Sequence, residues 1–165
     1  MVTMTPLEEE LSRLAGSVPD PEMPVLTLEE LGVLRGVRVE GPGKVTVELT
    51  PTYTGCPAIE AMSSDIERVL HDRGVEDVSV VTVLSPAWST DDISDEGRRK
   101  LAEYGIAPPR RQHSPEGPVP LTLAIRCPHC GSTDTELLSR FSSTACKSLR
   151  RCAACREPFD HFKEL

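Results

Sequence analysis

The sequence has 165 residues, of which 26 are acidic and 18 are basic, so its formal net charge is −8. This length is enough for one ordinary hydrophobic core and a small second unit, and the acidic balance disfavours a general nucleic-acid binder. No apolar run approaches the roughly 18 residues of a membrane helix, and the glutamate-rich N-terminal segment lacks the apolar region of a secretory signal. We therefore expect a cytoplasmic protein that binds neither membranes nor nucleic acid.

The first predicted elements are a helix, a proline-rich loop and a β-hairpin. Leucines at helical spacing predict a helix over residues 5–15. Three prolines then forbid regular helix or central strand over residues 18–25, and one helical turn is expected over residues 26–31. Alternating valines on either side of Gly-Pro-Gly predict a β-hairpin over residues 37–49.

A second helix and a third strand complete the first predicted core. Apolar residues at helical spacing predict a helix that opens with Pro57 and ends at Gly74. The valine-rich residues 75–84 predict a strand, and a cap followed by acids predicts another helix over residues 94–104. We therefore expect an α+β fold with a small three-stranded sheet and two or three helices.

Charge and proline content divide the chain. Residues 1–120 hold 11 Lys and Arg against 21 Asp and Glu, whereas residues 121–165 hold 7 against 5. Residues 107–120 contain five prolines among polar side chains, which is typical of a linker. We therefore expect an α+β domain over residues 1–106, a linker over residues 107–120 and a small separate domain over residues 121–165.

Two C-x-x-C motifs lie in the predicted C-terminal domain. Cys127 and Cys130 form the first, and Cys152 and Cys155 form the second, with 21 residues between the two motifs. Two such turns brought together complete the tetrahedral four-thiolate site that Zn²⁺ prefers. An iron–sulfur cluster can use the same ligands, whereas disulfides are disfavoured in a reducing compartment. The motifs therefore predict a zinc ribbon in which these four cysteines hold one structural zinc ion.

The two remaining cysteines, Cys56 and Cys146, lie outside these motifs. If Pro57 is the first helical residue, Cys56 is the helix N-cap, where the helix dipole favours its thiolate and raises its reactivity. Such a thiolate could be a nucleophile, a transient metal ligand or a cluster-transfer ligand, and a buried apolar residue is an equally good interpretation. Cys146 either packs under the ribbon sheet or is a functional thiol.

Asp20 and Glu22 flank a proline in the extended loop. Close to a cysteine, the two carboxylates could orient a metal or a basic group of a partner. The alternative is a solvated acidic loop, which the local sequence alone favours.

Several segments taken together resemble a known family. They are residues 20–25, 31–33, 50–57, 85–88, 96–101, 104–109, 139–147, 157–159 and 162–163. The first three resemble the small domain found in iron–sulfur assembly proteins and in phenylacetate catabolism. The combination is similar to the D-subunit family (PaaD, also called PaaJ) of the phenylacetyl-CoA 1,2-epoxidase system, and the resemblance runs from about residue 18 to residue 163.

The resemblance implies an accessory protein of a multicomponent oxygenase, which helps to assemble iron–sulfur or di-iron centres and is not itself the oxygenase. It implies oxygenase or reductase subunits as partners and transient iron or an iron–sulfur cluster as cargo, and it leaves a homodimer open. The family's cysteine after the second strand corresponds to Cys56, and its Asp-Pro-Glu segment corresponds to Asp20, Pro21 and Glu22. The sequence agrees, because it has no pair of Glu-x-x-His motifs for a di-iron site.

Two other functions remain open at this point. The first is a structural or docking module in which the ribbon binds oxygenase or reductase subunits and Cys56 is buried. The second is a nucleic-acid-binding zinc ribbon, which the acidic charge disfavours.

Overall fold

The computed structural model describes residues 3–111 and 124–164. The chain divides into two compact units, Met1–Trp88 and Ser89–Leu165, and each unit contains its own sheet. In the described ranges, no helix is both long enough and apolar enough to cross a membrane.

The first unit is built on a three-stranded sheet. Its elements are α1 (Pro6–Gly16), α2 (Leu28–Leu31), β1 (Leu34–Gly41), β2 (Lys44–Leu49), α3 (Ala58–Asp72) and β3 (Asp77–Thr82). The central strand β2 is antiparallel to β1 and parallel to β3. Helix α3 connects β2 to β3, and α1 packs against β1 and α3. The predicted α+β fold with a small three-stranded sheet is confirmed.

Helix α1 begins with a capping box. The Thr5 hydroxyl accepts the N–H of Glu8 at 3.2 Å, and the Glu8 carboxylate accepts the N–H of Thr5 at 2.8 Å. Each bond satisfies a backbone donor that would otherwise lack a partner at the helix end. The same carboxylate accepts the N–H of Val39 in β1 at 3.1 Å. The cap therefore also ties α1 to the edge of the sheet.

The core of the first unit lies between the helices and the sheet. The buried side chains of α3 are Ala58, Met62, Ile66 and Leu70. Their spacing of four residues keeps them on one face of the helix. On β2, the apolar side chains Val45, Val47 and Leu49 alternate with polar ones and are buried. A fully buried aliphatic side chain contributes about 1.5–3 kcal/mol, so these residues carry much of the stability of the unit.

The second unit contains a four-stranded sheet and one α-helix among its described residues. After a 3-10 turn at Thr90–Asp92 come α4 (Asp95–Glu103), β4 (Ile106–Ala107), β5 (Thr135–Ser139), β6 (Lys147–Cys152) and β7 (Pro158–Phe162). The strand order is β4-β7-β6-β5. Strand β7 is antiparallel to β6 and parallel to β4.

The division between the units differs from the expected boundary at residue 106. It falls between Trp88 and Ser89, so α4 and β4 belong to the second unit. The reason is a long-range pairing, because Ile106 lies opposite Asp160 and Ala107 lies opposite His161. The expected linker at residues 107–120 therefore begins inside a strand, and residues 112–120 lie outside the described residues.

Candidate metal centre and thiol site

Each C-x-x-C motif forms a tight turn with the same construction. In the first, the N–H of Gly131 donates to the carbonyl of Cys127 at 2.9 Å, and the N–H of Cys127 donates to the carbonyl of Ser132 at 2.8 Å. In the second, the N–H of Cys152 donates to the carbonyl of Glu157 at 3.0 Å. The residue after each motif has a left-handed φ, 78° at Gly131 and 64° at Arg156. This conformation reverses the chain and turns both sulfurs of a motif to the same side.

The four sulfurs of these turns converge. The Sγ atoms of Cys127 and Cys155 are 3.8 Å apart, and those of Cys130 and Cys152 are 3.5 Å apart. All four lie within 4.8 Å of one another. Sulfurs bound tetrahedrally at about 2.3 Å from one ion are separated by about 3.8 Å. The donor set therefore fits one metal ion with four thiolate ligands.

Backbone N–H groups support the thiolate form in this cluster. The N–H of His129 points to the sulfur of Cys127 at 3.4 Å, and the N–H of Cys155 points to the sulfur of Cys152 at 3.5 Å. The bond from Cys155 is the main cause that lowers the pKa of the Cys152 thiol to about 7. The N–H of Glu157 also lowers the pKa of the Cys155 thiol, but burial and the three neighbouring thiols raise it to about 12, so of these two thiols Cys152 loses its proton first. A thiol that ionises near neutral pH is prepared to bind a cation.

The apolar core around the cluster is small. Its buried members are Ala107, Ile125, Cys127, Cys152 and Phe159. Two of these five side chains, Cys127 and Cys152, belong to the four-cysteine cluster. The cluster is therefore part of the apolar core beside it.

Among the described residues, His129, His161 and Cys146 are not part of the four-sulfur cluster. His129 contributes only its backbone N–H, and His161 is buried in β7 outside the sulfur cluster. Cys146 is 2% exposed, and its sulfur is 3.0 Å from the hydroxyl of Thr144. Its burial agrees with the interpretation that Cys146 packs in the ribbon unit.

Cys56 lies before α3 but not at the predicted N-cap. Helix α3 begins at Ala58 and Pro57 is its N-cap, so Cys56 is one residue outside the helix. The Cys56 carbonyl still accepts the N–H of Ile59 at 3.4 Å. Pro57 has helical φ and ψ, −69° and −17°, although it has no N–H to donate. The prediction was therefore wrong by one residue.

The surroundings of Cys56 raise the pKa of its thiol instead of lowering it. Burial is the largest cause, because the side chain is 9% exposed and the thiolate loses solvation. The N–H of Ala58 acts in the opposite direction, whereas the negative charge of Glu22 raises the pKa further. The raised pKa agrees with the interpretation of Cys56 as a buried residue, and the sequence indicates the helix end but not this burial.

Asp20 and Glu22 have different roles in the loop between α1 and α2. Asp20 is 4% exposed, and its Oδ1 accepts the N–H groups of Glu22 and Met23 at 2.9 and 2.6 Å. Its own N–H donates to the carbonyl of Leu26 at 2.9 Å. Asp20 therefore closes the loop. Glu22 is the acid whose charge reaches Cys56.

Sequence reasoning missed two side chains at Cys56. The Thr52 and Tyr53 side chains hydrogen-bond the thiol and lower its pKa. Both also line a cavity of about 240 Å³, together with Leu84 and Trp88. The indole N–H of Trp88 is anchored on the carbonyl of Leu31 at 2.9 Å. Thr52 and Tyr53 fall within residues 50–57, one of the segments that carry the family resemblance. That resemblance is the signal in the sequence that could have indicated them.

Comparisons with known proteins match both units. The family model for "PaaD zinc beta ribbon domain" matches residues 111–163, and the one for "Iron-sulfur cluster assembly protein" matches residues 8–84. A protein of Escherichia coli that is named as the D-subunit of 1,2-phenylacetyl-CoA epoxidase is 47% identical over 158 residues, which cover 96% of this chain and 93% of that protein. The chain belongs to the phenylacetyl-CoA epoxidase D-subunit family. In this family member, the four-cysteine cluster falls within residues 111–163, which match the zinc-ribbon model, and Cys56 falls within residues 8–84, which match the iron–sulfur assembly model.

Other relatives are similar to this member of the D-subunit family over a shorter stretch. An Fe-S protein maturation auxiliary factor of Porphyromonas gingivalis is 35% identical over 95 residues, which cover 57% of this chain and 90% of that protein. The crystal structure of the domain of unknown function DUF59 from Bacillus anthracis has a TM-score of 0.52 at 27% identity, and covers 57% of this chain and 90% of that one. The epoxidase-family chain thus exceeds these small proteins in length.

Proposed function

We propose that this protein is an accessory maturation factor of the phenylacetyl-CoA epoxidase system. In this proposal, Cys56 binds iron or an iron–sulfur cluster in transit to the oxygenase or its reductase, and those subunits are its partners. The names of the relatives support the proposal, since they are an epoxidase D-subunit and Fe-S maturation factors. The observation that carries it is a free thiol outside the four-thiolate site, under the charge of Glu22.

When Cys56 binds its cargo, the thiol loses its proton and the sulfur forms a bond to iron. The raised pKa keeps the resting thiol protonated, so a cation must displace the proton to form the sulfur–iron bond. Glu22 favours the proton before binding, and its carboxylate offsets the positive charge of a bound cation afterwards. Because proton and metal compete for the sulfur, we expect Cys56 to hold its cargo weakly. Weak binding suits transfer better than storage.

We also propose that the four-cysteine cluster holds zinc and has a structural role. Four thiolates complete the tetrahedron of Zn²⁺ and leave no position for a catalytic water. The convergence of the four sulfurs within 4.8 Å of one another supports this assignment. The ribbon in this proposal supports the maturation factor without taking part in the transfer.

Anaerobic reconstitution tests the role of Cys56. Zinc-loaded protein is incubated with iron and sulfide, and the thiolate-to-iron absorption of wild type, Cys56→Ser and Cys146→Ser is compared. We expect the absorption to be lost only in Cys56→Ser. Cys146→Ser is the matched control, because both cysteines are buried, neither is in a disulfide and both lie outside the four-cysteine cluster. Equal absorption in Cys56→Ser would remove Cys56 as the cargo ligand.

The burial of Cys56 favours one alternative, a docking module in which this thiol is only structural. Cells that carry Cys56→Ser at native protein levels decide between the two functions. We expect phenylacetyl-CoA epoxidation to fall, whereas normal epoxidation would rule out the maturation role of Cys56. A zinc ribbon that binds nucleic acid is tested separately, by DNA binding at moderate salt, and we expect none.

A further inference from the structure

Strand β5 and the residues after it expose three large apolar side chains. Leu137, Leu138 and Phe141 are 49%, 48% and 63% exposed. Strand β5 lies at the edge of its sheet and pairs only with β6 among the described residues. An unpaired edge offers backbone N–H and C=O groups to another strand.

The ring of Phe141 is held in its exposed position by a cation. The Nζ atom of Lys163 lies 4.5 Å from the centroid of the ring and donates a hydrogen bond to the carbonyl of Arg140 at 2.9 Å. The ammonium group is thus attracted by the ring face and anchored on the backbone beside it. An exposed aromatic that is already ordered loses little entropy on binding, which is typical of an interface anchor.

The charges around this ring are positive and available. Within the described ranges, Arg140 and Lys163 form no ion pair with a carboxylate, whereas nearby acids already have basic partners. These pairs are Glu136 with Arg151, Asp160 with Lys147, and Glu164 with Arg110. We call Leu137, Leu138, Arg140, Phe141 and Lys163 the β5 surface.

We propose that the β5 surface binds an extended, acidic segment of a partner protein. The segment adds a strand beside β5 through main-chain hydrogen bonds, as in known cases of β-strand addition. An apolar residue of the segment packs on Phe141, and its carboxylates pair with Arg140 and Lys163. The positive charge determines this choice, because Arg140 and Lys163, which have no carboxylate partner in the part of the chain that the structure describes, would repel a basic segment.

The test uses the full metal-loaded protein and an array of overlapping 12-residue peptides that covers the oxygenase and reductase subunits of the epoxidase. For this choice of peptides the inference rests on the proposed function. We expect acidic peptides to bind, and to bind about tenfold more weakly to Phe141→Ala and to Arg140→Glu. Tyr104→Ala should bind as wild type does, since Tyr104 is another exposed aromatic of the same unit, at 71%.

Several outcomes would overturn the inference. They are the absence of any bound peptide, a preference for basic peptides, and binding that Phe141→Ala and Arg140→Glu leave unchanged at normal metal content. Preferential binding of a 15-residue oligo-dT over every peptide would assign the surface to single-stranded nucleic acid instead. Cys56→Ser should bind the peptides normally, so a failure of the cargo proposal remains distinguishable from a failure of this one.

Discussion

The two units of this protein are stabilised in different ways. Among the large side chains that are fully buried in the described residues, nine belong to the first unit and three, Ile93, Leu101 and Phe162, to the second. The first unit closes a helix–sheet core around aliphatic residues, whereas the core beside the ribbon motifs includes two cysteines of the four-cysteine cluster. A small apolar core rarely suffices for an independent fold. We therefore expect a metal bound by the four cysteines to supply stability that the small apolar core of the second unit does not.

The four ribbon cysteines and Cys56 also differ in what surrounds their thiols. The four ribbon thiols share one compact cluster with supporting N–H groups. Cys56 lies alone in an apolar-rich unit where burial raises its pKa. A cation that enters the four-cysteine cluster would meet four sulfurs, whereas in our proposal a cation at Cys56 competes with a proton. Substitutions in either unit can therefore separate metal-dependent stability from core-dependent stability.

The largest effect is expected for Cys127→Ser. Loss of one thiolate should abolish tight metal binding and disorder the ribbon, since structural zinc contributes on the order of 10–16 kcal/mol in such sites near neutral pH. Cys146→Ser should retain the metal, because Cys146 is outside the cluster. Metal analysis combined with hydrogen exchange is the measurement. In Cys127→Ser, protection against hydrogen exchange should vanish in residues 124–164 and persist in residues 6–82. If Cys127→Ser kept the metal and Cys146→Ser lost it, the ligand assignment would be wrong.

The reverse experiment targets the apolar core of the first unit. Ile66→Ala removes a fully buried side chain of α3 and should lower the free energy of unfolding of this unit by about 2–5 kcal/mol. The metal content should stay at the wild-type value. Ser64→Ala, on the exposed face of the same helix, should change stability by less than about 0.5 kcal/mol. Metal lost in Ile66→Ala would show that the two units do not fold independently.

A smaller, pH-dependent effect is expected from His161. Burial lowers the pKa of this side chain to about 4, below about 6.5 in the unfolded chain. The negative charge of Glu164 raises the pKa of His161, whereas the positive charges of Arg150, Arg110 and Lys163 lower it. The pKa of His161 is lower in the folded protein than in the unfolded chain, so between about pH 6.5 and about pH 4 only the unfolded chain binds a proton at this histidine. The free energy of unfolding therefore falls as the pH falls from about 6.5 to about 4. Below about 4 the loss should stop.

Urea unfolding of wild type and His161→Asn at a series of pH values measures this loss. We expect the wild type to lose on the order of 1–3 kcal/mol more than the variant across this range. Thiolate protonation affects both proteins equally and cancels in the difference. His71→Asn, at an exposed histidine of the first unit, should follow the wild type. Identical pH slopes in wild type and His161→Asn would show that the histidine titrates normally in the folded protein.

The elements that the sequence predicts well are those with local causes. Helix α3 follows from apolar residues four positions apart, and the β1–β2 hairpin follows from alternation around a glycine turn. The four-cysteine cluster follows from motif spacing alone. In contrast, β4 has only two residues and pairs with β7, more than fifty positions later, so no local pattern marks it. The division between the two units therefore differs from the expected boundary.

The same distinction explains the errors at the thiol. The position of Cys56 near a helix start is local and was predicted to within one residue. Its burial depends on packing across the unit, which no periodicity indicates. For the same reason, the sequence could not show that Asp20 is buried and closes its loop, while Glu22 acts on Cys56.

The smallest expected effect, Glu22→Gln, tests this last assignment. Removing the carboxylate charge should lower the pKa of the Cys56 thiol, because Glu22 is one of the causes that raise it. A larger thiolate fraction at about pH 8 should then make alkylation of Cys56 faster than in wild type. Alkylation of metal-loaded protein across a pH series, followed by mass spectrometry of each cysteine, is the measurement.

Two comparisons make the outcome of Glu22→Gln decisive. Glu67→Gln removes an equal charge near the far end of α3 and should leave the alkylation of Cys56 unchanged. The rate at Cys146 reports any general loosening of the fold, and it should stay low in both variants. An unchanged pH profile in Glu22→Gln would mean that burial alone sets the pKa of Cys56. Glu22 would then have no electrostatic role in cargo binding, and the proton–metal competition proposed for Cys56 would depend only on desolvation of its thiolate.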